Sequence, residues 1–366
     1  MDKYLSFYDA AFYNDYIWFS NVNFNGLFKT NMRDYSTEFV TYFPGEIMEQ
    51  KSMHGKTVVY GECIIFVPMR GKNIHIYNTV NKDMTSLDIT KYKKSKRHFS
   101  FETILFGSVL YIFPVDSAAI KLDLEKMTIA EVGELSNEYY EYLPNGKNFV
   151  IWKAVFDGEK AYFPQYNGNH ILVWDVKNDS YEVMEINIHN LFALQKSETG
   201  LWLFTGENSK LYLYEQKNGE IKEYFIDTDG IPGEQRYFNR VIEVKSKVYL
   251  LPDKGKSILT LNEEGAFFEK AFEYPPEFCF IEDFKYKWEK FFGAKVLDND
   301  IYIYPFRGNQ MLMVNTEDNS VTGIGIYADD AVYEEVEKDI YREFLRGKQI
   351  IIENRNDNLK KFIWSI

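Results

Sequence analysis

A short apolar strand recurs along this chain, often ending in proline, and that recurrence constrains the fold more than any other feature. Its copies fall at residues 16–20, 64–68, 110–114, 161–164, 201–205, 248–252, 301–305 and 349–353, some 40 to 53 residues apart. A strand and a tight turn precede each copy, as at Gly107-Ser108 and Asp157-Gly158. A third strand follows it, then a turn rich in Asn, Asp, Lys and Gly, then a fourth strand. Gly, Asn and Asp tolerate positive φ, so these turns read as hairpins. Proline lacks an N–H and suits a strand end, where no ladder bond is needed. Four antiparallel strands repeated at this period close into a ring, an all-β propeller forming one domain over residues 1–366. The count is about eight blades, with seven as the alternative. The last unit, 341–366, shows only three strands, and Met1–Tyr4 is a candidate for a fourth that closes the ring. A helix is expected only in insertions, at 329–339 and 280–291.

Composition agrees with strands. Aromatic residues make up 17% of the chain, with 30 Phe and 28 Tyr, side chains that suit a pleated, half-buried surface. A net charge of -13 repels phosphate backbones and anionic lipid, which argues against nucleic acid or a membrane as partner. The one basic run, 91–98, reads as a solvated loop. Two cysteines, Cys63 and Cys279, make no disulfide framework, and Cys63 reads as a small core residue. The first residues lack a basic segment followed by an apolar stretch, and no segment approaches a membrane span, so a cytoplasmic protein is expected.

The third strands end in Asp or Asn, as in Leu122-Asp123, Trp174-Asp175, Leu261-Asn262 and Val314-Asn315, and the second strands are rich in Tyr. In this the chain resembles kelch-type bacterial propellers. It lacks their double glycine, carrying single turn glycines such as Gly107 and Gly158. The resemblance implies binding, mostly of proteins, with a few carbohydrate-active enzymes in the group.

In a four-stranded meander, the second-to-third and fourth-to-first loops share one face. The first-to-second turns on the other face are uniformly short, while the fourth-to-first connections are long, at 44–55, 91–99, 134–148, 228–237, 273–290 and 327–340. Long loops on a rigid scaffold carry function. The long-loop face holds Arg70 and Arg307 in matching turns, Arg236 and Tyr237 in one connection, and Tyr166, Trp288, His98 and His189. Arg, Tyr and Trp dominate binding hot spots, and Arg clamps a carboxylate or phosphate with two parallel hydrogen bonds. These eight residues are the predicted binding set.

Chemistry finds less support. His54, His98 and His189 each precede a first strand, but they lack metal-ligand spacing and no metal is assigned. His75 and His170 read as strand-end residues. Glu102, Glu289, Glu337 and Glu343 fall near first strands without identifying a catalytic pair. No nucleophile elbow, phosphate loop or cofactor motif occurs. The sequence therefore points to a non-catalytic interaction domain with a protein or peptide partner. A carbohydrate-binding or carbohydrate-active propeller is the alternative.

Overall fold

The computed structural model describes residues 4–93, 99–114, 117–132, 154–206, 209–226, 238–245, 247–252, 257–262, 264–280, 291–304, 306 and 308–345. Among them lie seven four-stranded antiparallel meanders, here blades 1 to 7, at 10–41, 54–88, 100–131, 155–185, 191–226, 238–270 and 294–324. Strand order within each blade follows chain order. The expected propeller and its hairpin repeat are therefore present. The eighth repeat, 349–353, lies outside the described residues.

Local chemistry explains why the repeat was visible. In the first-to-second turns, Asn14, Gly61, Gly107, Lys245 and Asp298 occupy the same position, each with φ between 50° and 59°. The third-to-fourth turns share a second device. Asn31, Asn78, Asp123, Asp175 and Asn315 close the third strand, and each side-chain oxygen accepts a backbone N–H two residues on. Four residues after each stands a residue in the left-handed region: Tyr35, Lys82, Met127, Asp179 and Asn319. The Asp or Asn that ends each third strand thus folds the turn that starts the fourth.

Seven apolar clusters fill the spaces between neighbouring blades, one per space. Blades 1 and 2 share Trp18, Phe66 and Tyr77, and blades 2 and 3 share Ile65, Ile76 and Leu110. Further pairs meet through Phe113 and Trp174, Ile171 and Leu203, Trp202 and Phe268, then Tyr249 and Ile301. The seventh cluster joins blade 7 to blade 1 through Tyr302, Tyr304, Phe7, Phe19 and Phe28. Among the described residues, blade 7 therefore packs directly on blade 1. Leu5 N–H donates to the Ile326 carbonyl at 3.0 Å and Tyr4 bridges Tyr327, so the N-terminal residues stitch onto the end of blade 7. Blades 5 and 6 are also joined at their rims, where Phe225 and Ile226 pair in parallel with Phe267 and Phe268.

The helix Asp330–Leu345 lies over the blade 7–blade 1 seam. Tyr333 and Val336 enter the shared cluster, and a Glu343 carboxylate oxygen accepts the Met48 N–H at 2.9 Å. The expected helix at 329–339 is thus present and longer. The one expected at 280–291 falls mostly outside the described residues. Cys63 is half-buried against the blade 2–3 cluster and Cys279 is exposed, both as free thiols.

Candidate functional site

The innermost strands line a central lumen, and a recurring irregularity shapes its long-loop mouth. The first strands of blades 2, 3, 5 and 6 each carry a bulge near their start, at His54/Lys56, Ser100/Glu102, Leu191/Ala193 and Phe238/Arg240. A bulge turns the strand and re-aims the side chain that follows it. Three of these four residues are charged: Lys56, Glu102 and Arg240. Asp9 stands just before the first strand of blade 1.

These charges are coupled. Lys56 Nζ lies 3.3 Å from Glu102 Oε1, and their side chains keep 24% and 20% of their surface. Asp9 Oδ2 accepts the Thr57 N–H at 3.1 Å. Burial lifts the Glu102 carboxyl above its usual range, an effect that Lys56 partly offsets. Burial alone would lower Lys56, but the Glu102 and Asp9 carboxylates more than reverse this and hold the ammonium above its ordinary value. Arg240 acts on Lys56 in the opposite direction, which places the charges of blades 1, 2, 3 and 6 within reach of one another.

An aromatic wall stands beside them. Tyr8 packs against Phe292 and Phe306 with ring centroids 4.7 Å apart in both cases, and Phe292 lies 5.7 Å from Phe306. Arg240 Nη2 donates to the Phe292 carbonyl at 3.0 Å, tying the guanidinium to that wall. Tyr8 Oη and Ser52 Oγ are 3.0 Å apart, and the Ser52 carbonyl accepts the Arg70 N–H. The Arg70 turn thereby connects to the mouth.

That turn is held from two sides. Lys93 Nζ donates to the Arg70 and Gly71 carbonyls at 3.1 and 2.9 Å. Glu46 Oε1 accepts the N–H groups of Lys72 and Asn73 at 2.7 and 2.9 Å. A Cβ on Gly71 would sit 3.0 Å from Met53 Cγ, so the close approach excludes larger residues. Charge-assisted bonds of this kind pre-organise a loop at little further cost in entropy on binding.

Of the predicted set, Arg70 and Tyr166 are half-buried and His189 is exposed, all in connections of the long-loop face. His98, Arg236, Tyr237, Trp288 and Arg307 lie outside the described residues. Sequence reasoning missed Asp9, Lys56 and Arg240. The available signal was a charged residue at the third position of the first strand, as in Phe238–Val244. Glu102 was noticed, but not its pairing with Lys56.

His54 does not open on the mouth. It is buried, with Nδ1 2.8 Å from Ser20 Oγ and Nε2 2.9 Å from His75 Nδ1. His75 Nε2 lies 3.1 Å from the Pro44 carbonyl, which can only accept. With both rings neutral, His75 Nε2 donates to Pro44, His54 Nε2 donates to His75, and Ser20 donates to His54. Both rings are neutral. Burial and the neighbouring His75 push His54 well below its ordinary pKa, and burial pushes His75 down to about 4. His75, expected at a strand end, is instead inside the third strand of blade 2, fully buried. His54 and His189 therefore do not meet at one point. Glu337 is exposed on the helix, Glu343 caps Met48, and Glu289 is outside the described residues.

The sequence matches no family model and no curated protein. Solved structures share the architecture. The chain is similar to PorZ, a surface component of the type-IX secretion system of Porphyromonas gingivalis, at 9% identity and a TM-score of 0.58, covering 89% of this chain and 38% of that one. It is similar to the extracellular domain of the putative hybrid two-component system BT4673 from B. thetaiotaomicron, at 13% identity and a TM-score of 0.56, covering 84% and 38%. A third, YCF48 bound to D1 peptide, gives 10% identity and a TM-score of 0.57 over 86% of this chain and 92% of that one. The chain spans about two fifths of the length of the first of these structures. They support the propeller, while the narrower kelch-type likeness gains nothing from them. They also correct the expectation of a cytoplasmic protein, because several are surface or extracellular domains. That expectation leaned on the first residues of the chain, and where a sequence begins is no guide to what precedes it.

Proposed function

We propose that this propeller is a non-catalytic interaction module that holds a protein or peptide segment on its long-loop face, across the mouth of the lumen. The observation that carries this reading is the meeting of the Tyr8–Phe292–Phe306 wall with the charges of Lys56, Glu102 and Arg240 on the face that holds Arg70 and Tyr166. Aromatic and arginine side chains on a rigid support are the usual anchors of an interface. A peptide complex of a protein of the same fold adds support by analogy of architecture. A glycan is the alternative occupant, since aromatic platforms beside Asp9 and Glu102 would suit a sugar. The partners those carboxylates already have, Thr57 N–H and Lys56, favour a binding role over acid–base chemistry.

The test is selection of displayed peptides against the intact protein, followed by substitution on both faces. Arg70→Glu with Tyr166→Ala should weaken the selected peptides at least about tenfold, roughly 1.4 kcal/mol. Val80→Ser, in a third-to-fourth turn of the opposite face, should leave them unchanged. The reverse pattern would move the binding surface to the hairpin face.

A further inference from the structure

Among the described residues, Arg240 is the charge at this mouth that has no counter-ion. Asp9 has the Thr57 N–H, and Lys56 and Glu102 have each other. Arg240 makes a single hydrogen bond, to the Phe292 carbonyl, and its Nε is buried with no partner among the described residues. No carboxylate of the described residues lies in ion-pair range of its guanidinium. Arg240 is half-buried, and its buried Nε has lost water without gaining a partner, which is costly for a charged group. The bulge at Phe238/Arg240 nevertheless aims it there, and bulges of this kind are built features rather than accidents.

From this we infer that the long-loop mouth of the lumen is a carboxylate-binding site, with Arg240 as its clamp and Tyr8, Phe292 and Phe306 as an apolar shelf for the group bearing the carboxylate. The inference rests on the interaction reading above and names the chemistry that the partner presents. A guanidinium fork matches a planar carboxylate through two parallel N–H donations. Asp9 and Glu102 are already in the lumen, so a singly charged carboxylate meets less repulsion than a doubly charged phosphate. The shelf selects a carboxylate next to an aromatic or aliphatic group. A chain end and an acidic side chain both supply that chemistry.

Three probes separate the sources. N-acetylphenylalanine carries a terminal carboxylate, its amide carries none, and N-acetylglutamate α-amide carries a side-chain carboxylate. Each is titrated into the full chain labelled with ¹⁵N-arginine, and the nine arginine Nε–H signals are followed. The expected result is that a carboxylate probe moves the Arg240 signal and that the amide binds at least tenfold more weakly. If N-acetylphenylalanine alone binds, the site takes chain ends; if N-acetylglutamate α-amide also binds, it takes acidic side chains. Arg240→Gln should reduce binding at least tenfold while Arg240→Lys restores part of it, with folding checked by melting curves. Should Arg240→Gln fail to fold, the titration of the unaltered protein decides by itself. An Arg240 signal unmoved by every probe, or equal binding of acid and amide, overturns the inference. If displayed peptides still depend on Arg70 and Tyr166 but not on Arg240, the carboxylate site falls and the interaction reading stands. If probes bind at Arg240 while loop-face substitutions change nothing, the interaction reading falls and the lumen site stands.

Discussion

At the residue scale, the Ser20–His54–His75–Pro44 chain makes the clearest statement about pH. Four polar groups lie buried between blades 1 and 2 and partner one another with both imidazoles neutral, and burial disfavours charging either ring. The folded pKa values are depressed, His54 well below its ordinary value and His75 to about 4. Above about pH 6.5 both rings are neutral folded or unfolded, and the full stability is present. As pH falls from there towards 4, the unfolded chain takes up protons that the folded chain refuses, and stability is lost. Each ring contributes up to about 1.4 kcal/mol per pH unit in that window. Urea midpoints measured from pH 7.5 to 4.5 should therefore fall steadily, and His75→Gln should flatten the slope even where it lowers the midpoint. Parallel slopes for the two proteins would place the pH dependence elsewhere.

At the scale of the element, the hairpins were legible because the side chains that make them are local. Asn78 both ends the third strand of blade 2 and accepts the Val80 and Asn81 N–H groups at 2.9 and 3.1 Å, which leads the chain to Lys82 at a φ of 64°. A sequence shows such a device directly, since donor and acceptor are a few residues apart. Asn78→Ala should cost about 1 kcal/mol, while Asn78→Asp keeps the acceptor and most of the stability. Thermal melts of the two variants check this, and equal losses would mean that the side-chain amide matters for something other than the turn. The candidate site was far less legible. Its face could be read from loop lengths, which is why Arg70 and Tyr166 were expected on it. Lys56, Glu102 and Arg240 come from three blades and are brought together only by the bulge, a register shift that leaves no mark in hydrophobic alternation. Tyr8, Phe292 and Phe306 each read as ordinary core aromatics in a chain with 30 Phe and 28 Tyr. The His54–His75 contact also joins residues from two strands, and spacing along the chain could not reveal it.

For the molecule as a whole, what matters is how the ring is held shut. Every four-stranded blade is drawn from one continuous stretch, so no strand is exchanged between the first and last blades among the described residues. Closure is left to packing at the blade 7–blade 1 seam, to the Leu5–Ile326 bond and to the helix Asp330–Leu345 above it. Phe7 is central there: it is fully buried, stacks on Phe19 at 4.3 Å and meets Tyr304 at 5.3 Å. Phe7→Ala removes these contacts and should cost about 3–5 kcal/mol by loss of burial and creation of a cavity. The location of that cost distinguishes two kinds of ring. In a ring that opens as a unit, losing one seam lowers protection everywhere equally. In a ring of nearest-neighbour interfaces, opening the seam turns blades 1 and 7 into ends, and ends fray first. The packed, strand-unshared seam favours the second. Hydrogen exchange in Phe7→Ala should then accelerate most in Tyr16–Ser20 of blade 1 and Met311–Asn315 of blade 7, and least in His170–Asp175 of blade 4, on the far side of the ring. Uniform acceleration across all three strands would instead mean that the blades couple strongly enough for the ring to unfold as one body.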